Sequence, residues 1–476
     1  MMDSHTGKKK VHFLLFPWLA QGHINPFLEL SKALAIHGHK VSFLSTPVNI
    51  SRIRPSLQLQ DWPGQIDLME LPLPPTEGLT PGAECTADIP TEMAFPLKVA
   101  LDGIEKPFRS LLRQLSPDYL VHDFVQYWTQ SAAAEMQVPA IYFSIFPPAS
   151  FAYALHPSKL RNQDITAEEL AAPPFGFPSS VIRFRLHEAR DLLVMYRGIP
   201  GHIAPISRFA KCLEGCMAVI LKSCFEYEEK YMSYFEDALG VPVLSVGPLT
   251  PAVLPGASGN GSDHSDLLEW LDRQREASVV FVSFGSEAFL SEDQIHELAL
   301  GLEASGLPFL WSIRFPRYSD GGHDPLGVFP EGFQIRTQDR GLVVEGWVPQ
   351  VQILSHRSIG GFLSHGGWSS AMESLSFGIP LIVLPIQLDQ GLNARQIAAE
   401  LKAGIEIERG EDGSFLRENI CTTLTMAMAG EEGEKLRSKA AEARDIIAAN
   451  KQSHIHDFIQ KLEQLAEDHK NKKQVM

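Results

Sequence analysis

A chain of 476 residues, 44% hydrophobic and 21% charged, has the length of about two to three domains, each able to bury its own core. Its net charge of −16 argues against a nucleic-acid binder and against a protein drawn to acidic surfaces. Cys85, Cys212, Cys216, Cys224 and Cys421 are odd in number and lack metal-ligand spacing, which fits a reducing compartment; no run reaches membrane-spanning length, so cytoplasmic residence is expected.

Lys8 to Lys10 ahead of the apolar stretch Val11 to Ala20 imitates a secretion signal, but no small-residue cleavage site follows. Val11 to Phe16 is predicted instead as a first buried strand. A loop from Pro17 to Asn25 leads to a helix from Pro26 to His37, with Pro26 in the first turn and Gly38 past the end. Lys40 to Ser45 is the second strand. His23 thereby falls in the loop at the carboxyl end of the first strand, where open parallel sheets put their ligands. Tyr119-Leu120-Val121 predicts another strand with Asp123 at its carboxyl end. Asp118 precedes that strand and belongs to the opposite edge, and His122, next to Asp123 along a strand, points to the other side.

Ala140 to Ser144 predicts a further strand. From about Ser150 to Ala218 the chain reads as irregular, with many aromatic, Pro and His residues; this region and Pro72 to Thr91 are the expected wall of a ligand pocket. Val219 to Phe225 and Leu244 to Val246 are the last strands of the first half, residues 1–250. Pro251 to Ser265 is rich in Gly, Ser and Pro and is predicted as an exposed linker. The second half, 266–450, begins with Leu267 to Leu271 and a strand, Val279 to Phe284, ending on Gly285-Ser286. Helix Glu292 to Ser305 and strands Pro308 to Ile313 and Leu342 to Glu345 follow. The tail is helical by composition, and within 451–476 Phe458, Leu462 and Leu465 form an apolar stripe. Alternating strands and helices in both halves give class α/β.

The densest chemistry lies between Trp347 and Gln390, WVPQVQILSHRSIGGFLSHGGWSSAMESLSFGIPLIVLPIQLDQ. Ile359 to Leu363 and Leu381 to Leu384 read as strands with a Ser-rich helix between them. At that helix start stand His365, Gly366, Gly367, Trp368, Ser369 and Ser370, with Glu373 one turn in. Glycines let backbone lie against phosphate oxygens, and a helix N-terminus carries about half a positive charge. The stretch is built for an anion such as a diphosphate. Trp347 has a face for a flat base, Gln350 and Glu373 have groups for ribose hydroxyls, and Asp389 with Gln390 has groups for sugar hydroxyls.

This stretch resembles the signature box of the plant secondary-product UDP-glycosyltransferases in length and in the placing of Trp347, Gln350, His356, His365, Gly367, Trp368, Ser370, Glu373, Pro385, Asp389 and Gln390. The resemblance implies a GT-B fold, two Rossmann-like doubly wound domains facing a cleft, with the last helix packing back on the first domain. It implies an inverting transfer from a UDP-sugar co-substrate without metal or other cofactor. By position, Trp347, with Val348 beside it, would stack on uracil; Gln350 and Glu373 would hold the ribose. His365, Gly367, Trp368, Ser369 and Ser370 would serve the diphosphate, and Asp389 with Gln390 the sugar. Pro17 to Pro26 resembles the family's opening motif, which makes His23 the general base, and Pro117 to Trp128 resembles the segment carrying its partner, Asp123. Gly285-Ser286 resembles a second phosphate loop, adding Ser286 to the donor site. The chain departs from the family at Gly366 and Ser369, where Cys and Asn are usual, and at Gln387 and Leu388, where Trp and Thr are usual.

UDP-glucose is the expected donor, because Gln at 390 is the form associated with glucose and an amide can both donate to one hydroxyl and accept from its neighbour; UDP-rhamnose or UDP-xylose is the alternative. Trp18 to His23, Asp389 to Arg395 and Ile455 to Leu462 look like the branch that adds a sugar to a glycoside, so the acceptor is expected to be a sugar hydroxyl of a flavonoid or terpenoid/steroid glycoside. A monomer without nucleic-acid or membrane partners is expected. A sugar-nucleotide epimerase of the same architecture, or a silent nucleotide-binding protein, are the competing classes. The aromatic region argues against the first, and His23 with Asp123 against the second.

Overall fold

Short runs of Val, Ile, Leu and Phe, apolar on both faces, cannot sit at a solvated surface and become central parallel strands. The computed structural model describes residues 10–57, 64–90, 94–162, 164–199, 201–251, 264–285, 289–315 and 327–475. Most of the expected linker, and Ser286, lie outside them.

The first sheet has seven strands in the order β3-β2-β1-β4-β5-β6-β7: β1 His12–Phe16, β2 Lys40–Ser45, β3 Gln65–Glu70, β4 Tyr119–His122, β5 Ala140–Ser144, β6 Ala218–Leu221 and β7 Val243–Ser245. The second has six, ordered β10-β9-β8-β11-β12-β13: β8 Val279–Ser283, β9 Phe309–Ile313, β10 Gly341–Glu345, β11 Ile359–Ser364, β12 Leu381–Val383 and β13 Gly404–Glu406. All these pairings are parallel, so the fold is two doubly wound α/β units. In each, the strand order reverses beside the first strand, between β1 and β4 and between β8 and β11. A crevice opens at the carboxyl ends of such a pair.

Buried side chains cover both faces of each sheet. The long helix Gly430–Val475 serves two cores: Ala440, Ala443 and Ile447 pack with the second sheet, while Ile455, Phe458, Ile459 and Leu462 pack with Phe13, Phe27 and Phe43 of the first. Among the described residues no helix is long and apolar enough to cross a membrane.

Several stretches differ from the sequence reading. The first helix spans Gln21–Ile36, so His23 lies in its first turn; the amides of His23 and Ile24 donate to Ala20 O at 2.9 and 2.8 Å, closing a turn ahead of Pro26. The stretch after Ser150 is mainly short helices, among them Pro148–Ala154, Leu186–Arg197 and Pro205–Leu213; two of these begin with Pro, which suits the amide-free first helical position. The strand expected over Val219 to Phe225 is Ala218–Leu221, and Phe225 already begins the helix Phe225–Leu239.

Candidate active site

β1 and β4 pair with Phe16 opposite His122, so the residues just beyond them emerge together at the crevice. His23 Nδ1–H donates to Asp123 Oδ2 at 2.7 Å. The same oxygen accepts from Trp18 N at 3.0 Å, and Oδ1 accepts from Phe124 N at 2.8 Å. Three donors around one buried carboxylate fix its rotamer. That carboxylate selects the His23 tautomer with the proton on Nδ1, which turns Nε2 into the basic nitrogen. Asp118 sits at the other end of the strand, accepting from His12 N at 2.9 Å. His122 is fully buried in β4, where burial pushes its imidazole down to about 4.

In the second unit β11 ends at Ser364, and the helix Trp368–Ser376 begins after Gly367. His365 stands in that corner, facing Gly285 from the end of β8. A Cβ at Gly285 would come 2.8 Å from His365 Cε1, and one at Gly367 would come 2.4 Å from Nε2. The glycines are therefore required by the imidazole as much as by a phosphate. Burial pushes the His365 imidazole down to about 4, so at neutral pH it offers a neutral hydrogen bond rather than a positive charge.

A cavity of about 840 Å³ joins the two units. Its wall includes His23 from the first unit and Gly285, His365, Gly367, Trp368, Ser369, Ser370, Asp389 and Gln390 from the second. The remaining wall is mostly apolar, with Phe95, Phe124, Phe146, Phe151, Phe184 and Phe209 among the lining rings. Of the expected wall before Thr91, Thr86, Ile89 and Pro90 take part; Lys98 and Ile145 also do. No motif marked these residues, because apolar walls carry no fixed spacing.

The other site residues stand at different removes. Gln350 Nε2 donates to Ser370 Oγ at 3.1 Å and to Glu373 Oε2 at 2.8 Å, which groups those three side chains beside the cavity. Trp347 is 51% exposed, its ring 5.8 Å from that of His264. Val348 is buried in the core under the helix and presents no side chain to the cavity. Burial pushes Asp389 up to about 6, opposed by a hydrogen bond from Asn393 Nδ2 at 3.0 Å. Gln390 departs from the sequence argument: its Oε1 accepts from the amides of Ile386 and Gln387, both at 2.9 Å. The acceptor half of the amide is taken by its own loop, so Gln390 is left to donate and Asp389 to accept. Leu388 lies on the cavity wall with φ 55°, a left-handed conformation that a branched residue adopts at a cost.

Asn393, Arg395 and Gln396 follow closely on Asp389 and Gln390. All three are buried against the first unit. Ser150 Oγ donates to Asn393 Oδ1 at 2.6 Å, Arg395 donates to Glu188 Oε1 at 2.9 Å, and Gln396 Nε2 donates to Glu228 Oε1 at 3.0 Å. Lys222, unmarked in the sequence, donates to Ser369 Oγ at 2.8 Å across the cleft. Its place just past β6, at the carboxyl edge of a parallel sheet, was the available signal.

Residues 259–420 match the family described as UDP-glucoronosyl and UDP-glucosyl transferase, and residues 9–180 match the glycosyltransferase N-terminal domain. UDP-glycosyltransferase 91C1 of Arabidopsis thaliana is 38% identical over 441 residues, 92% of this chain and 93% of its own. The anthocyanidin-3-O-glucoside rhamnosyltransferase of Petunia hybrida is 35% identical over 444 residues, 92% of each chain. The solved structure of Glycyrrhiza uralensis UGT73P12, complexed with glycyrrhetinic acid 3-O-monoglucuronide, shares the fold with a TM-score of 0.83 at 24% identity, covering 98% of both chains.

Proposed function

The chain belongs to the plant UDP-glycosyltransferases, and from that premise we propose that it transfers glucose from UDP-glucose, with inversion and without a metal, to a sugar hydroxyl of a plant glycoside with a large apolar aglycone. The observation that carries this reading is His23 on the wall of the same cavity as the donor-side residues, backed by the buried Asp123 at 2.7 Å. His23 Nε2 takes the proton of the acceptor hydroxyl as its oxygen attacks the anomeric carbon. The bond from that carbon to the β-phosphate oxygen breaks, UDP leaves with the electron pair, and Asp123 steadies the imidazolium.

His365, Ser370 and the amides at the start of the helix Trp368–Ser376 face the diphosphate, where negative charge grows. Trp347 carries the uracil, while Gln350 and Glu373 hold the ribose; Ser286 is kept as a further donor ligand. Asp389 accepts from one sugar hydroxyl and Gln390 Nε2 donates to the next, which supports glucose with the two roles divided between two side chains. UDP-rhamnose is the second reading: Leu388 lines the cavity and suits the methyl of a sugar lacking a 6-hydroxyl, and the Petunia hybrida relative is a rhamnosyltransferase. The rings around the first-unit wall support a flat or fused apolar aglycone.

The test is a competition of equal UDP-glucose, UDP-rhamnose and UDP-xylose on paired glycosides and aglycones, read by mass spectrometry. Glucose added to the glycosides is expected. Transfer only to free aglycones would refute the acceptor reading, and a clear excess of rhamnose would refute the donor reading.

A further inference from the structure

A helix dipole balances only part of a diphosphate's charge, and burial favours the neutral form of His365. Lys98 and Arg208 line the cavity on the side of the first unit, and Arg208 is already engaged with both carboxylate oxygens of Asp102, at 2.9 and 2.6 Å. Lys222 is different. It leaves the carboxyl end of β6, its amide donating to Ser144 O at 3.0 Å, and its side chain is 1% exposed. Nζ donates to Ser369 Oγ at 2.8 Å, on the second residue of the helix Trp368–Ser376.

This is an unfavourable place for a cation. The first turn of a helix carries the positive end of its dipole, and an ammonium has three hydrogens to place. Among the described residues Lys222 makes this one side-chain hydrogen bond. Burial lowers its pKa to about 8, opposed by the nearby carboxylates of Glu373 and Glu29. An anion at the helix start would turn the repulsion into attraction. Ser369 is also the position where an Asn is usual in the resembling box. With its oxygen accepting from Lys222, the Ser369 hydroxyl has its own proton to give, and Ser369 lines the cavity.

We propose that Lys222 is a positioning residue for the donor diphosphate, holding the Ser369 hydroxyl toward the phosphates and adding a positive charge beside them, so that Ser and Lys from opposite sides of the cleft together replace the longer Asn. The inference rests on reading the cavity as a UDP-sugar site. It also makes the phosphate grip depend on both units, since its charge comes from the first and its hydroxyl from the second.

The test compares UDP, by titration calorimetry, with uridine, by ligand-observed NMR, on the full chain and on Lys222→Met, Lys222→Arg and Ser369→Ala. Lys222→Met is expected to weaken UDP by about tenfold or more while uridine changes less than about twofold. Lys222→Arg is expected to retain most of the UDP affinity. Equal losses for UDP and uridine would overturn the proposal, because Lys222 would then serve only Glu373 and the ribose, and an unchanged UDP affinity would overturn it as well. If Lys222→Met folds poorly, Ser369→Ala carries the test, and an unchanged ratio of UDP to uridine affinity there is equally fatal. Failure of the parent protein to bind UDP would refute the cavity reading itself, which separates the two.

Discussion

Replacing Asp123 by Asn probes the base pair with little change in volume. One side-chain oxygen must then do the work of two. If the amide oxygen stays on Phe124 N, where Oδ1 now accepts at 2.8 Å, the NH₂ group faces Trp18 N and His23 Nδ1, at present 3.0 and 2.7 Å from Oδ2. It meets a backbone donor on one side and pushes the His23 proton from Nδ1 to Nε2 on the other. If the amide flips, the NH₂ group meets the Phe124 donor instead. The first arrangement removes the basic nitrogen from the cavity, and both leave a buried donor facing a donor, at about 1–3 kcal/mol of stability. Turnover is expected to fall by about a thousand- to ten-thousandfold, the scale of a lost base with its orienting carboxylate, or about 4–5.5 kcal/mol of activation free energy. UDP affinity is expected to change by less than about twofold, because no donor-side contact is touched. Steady-state kinetics with UDP-glucose and an accepted glycoside, together with calorimetric titration of UDP, measure both quantities. A variant turning over within tenfold of the parent, or losing UDP affinity in proportion to turnover, would refute the assignment.

His365→Ala is expected to slow transfer by about a hundred- to a thousandfold for every accepted sugar and acceptor alike; an effect confined to some acceptors, seen in a donor-by-acceptor rate matrix, would move His365 to the other side of the reaction. Gly285→Ala introduces a Cβ that would come 2.8 Å from the His365 ring at a backbone φ of 74°; UDP affinity is expected to drop by about tenfold or more while circular dichroism stays native, and unchanged UDP binding would show that the ring need not hold its place. His122 is buried neutral with its imidazole at about 4 against an ordinary 6.5, so the unfolded chain binds the proton first and stability is lost as pH falls from about 6.5 toward 4, by on the order of 3 kcal/mol. Denaturant midpoints of the parent and of His122→Asn at pH 7 and pH 5 check this; the variant is expected to lose less on acidification, and parallel losses would count against the assignment.

Strand positions were readable because a buried parallel strand leaves a run of Val, Ile, Leu and Phe between polar ends, as at Val279 to Phe284 and Ile359 to Leu363. β3, reading Gln65-Ile66-Asp67-Leu68-Met69-Glu70, was missed, since an edge strand is only half covered and its polar residues break the run. The helices after Ser150 were missed for another reason: Pro and aromatic residues read as loop signals, yet Pro at a first helical position and rings buried between short helices satisfy the same residues. Within the box the spacing of His365, Ser370, Glu373 and Asp389 was legible because it matches a family signature of fixed length. How Gln390 divides its amide was not, for that depends on the backbone of Ile386 and Gln387 folding over it. Lys222 was equally silent, being one residue past a strand with its partner 147 positions away.

The helix Gln390–Arg395 connects these levels. Its N-cap Asp389 and first residue Gln390 face the cavity, while Asn393 and Arg395 reach Ser150 and Glu188 of the first unit. A Cβ at Gly391 would come 2.4 Å from Glu188 Oε1, so glycine there admits the carboxylate to Arg395. Both members of that ion pair are about nine-tenths buried, Arg395 also lies 3.5 Å from Glu406 Oε1, and removing Arg395 would take a cation from both carboxylates at a cost of about 3–5 kcal/mol. Asn393 extends the chain of bonds into the donor loop, its Nδ2 donating to Gly366 O at 2.9 Å and to Asp389. The residues that would grip the sugar are thus positioned by contacts with the unit that would hold the acceptor. In that arrangement the sugar's place is fixed relative to His23 by bonds across the cleft, beyond what either unit could impose alone.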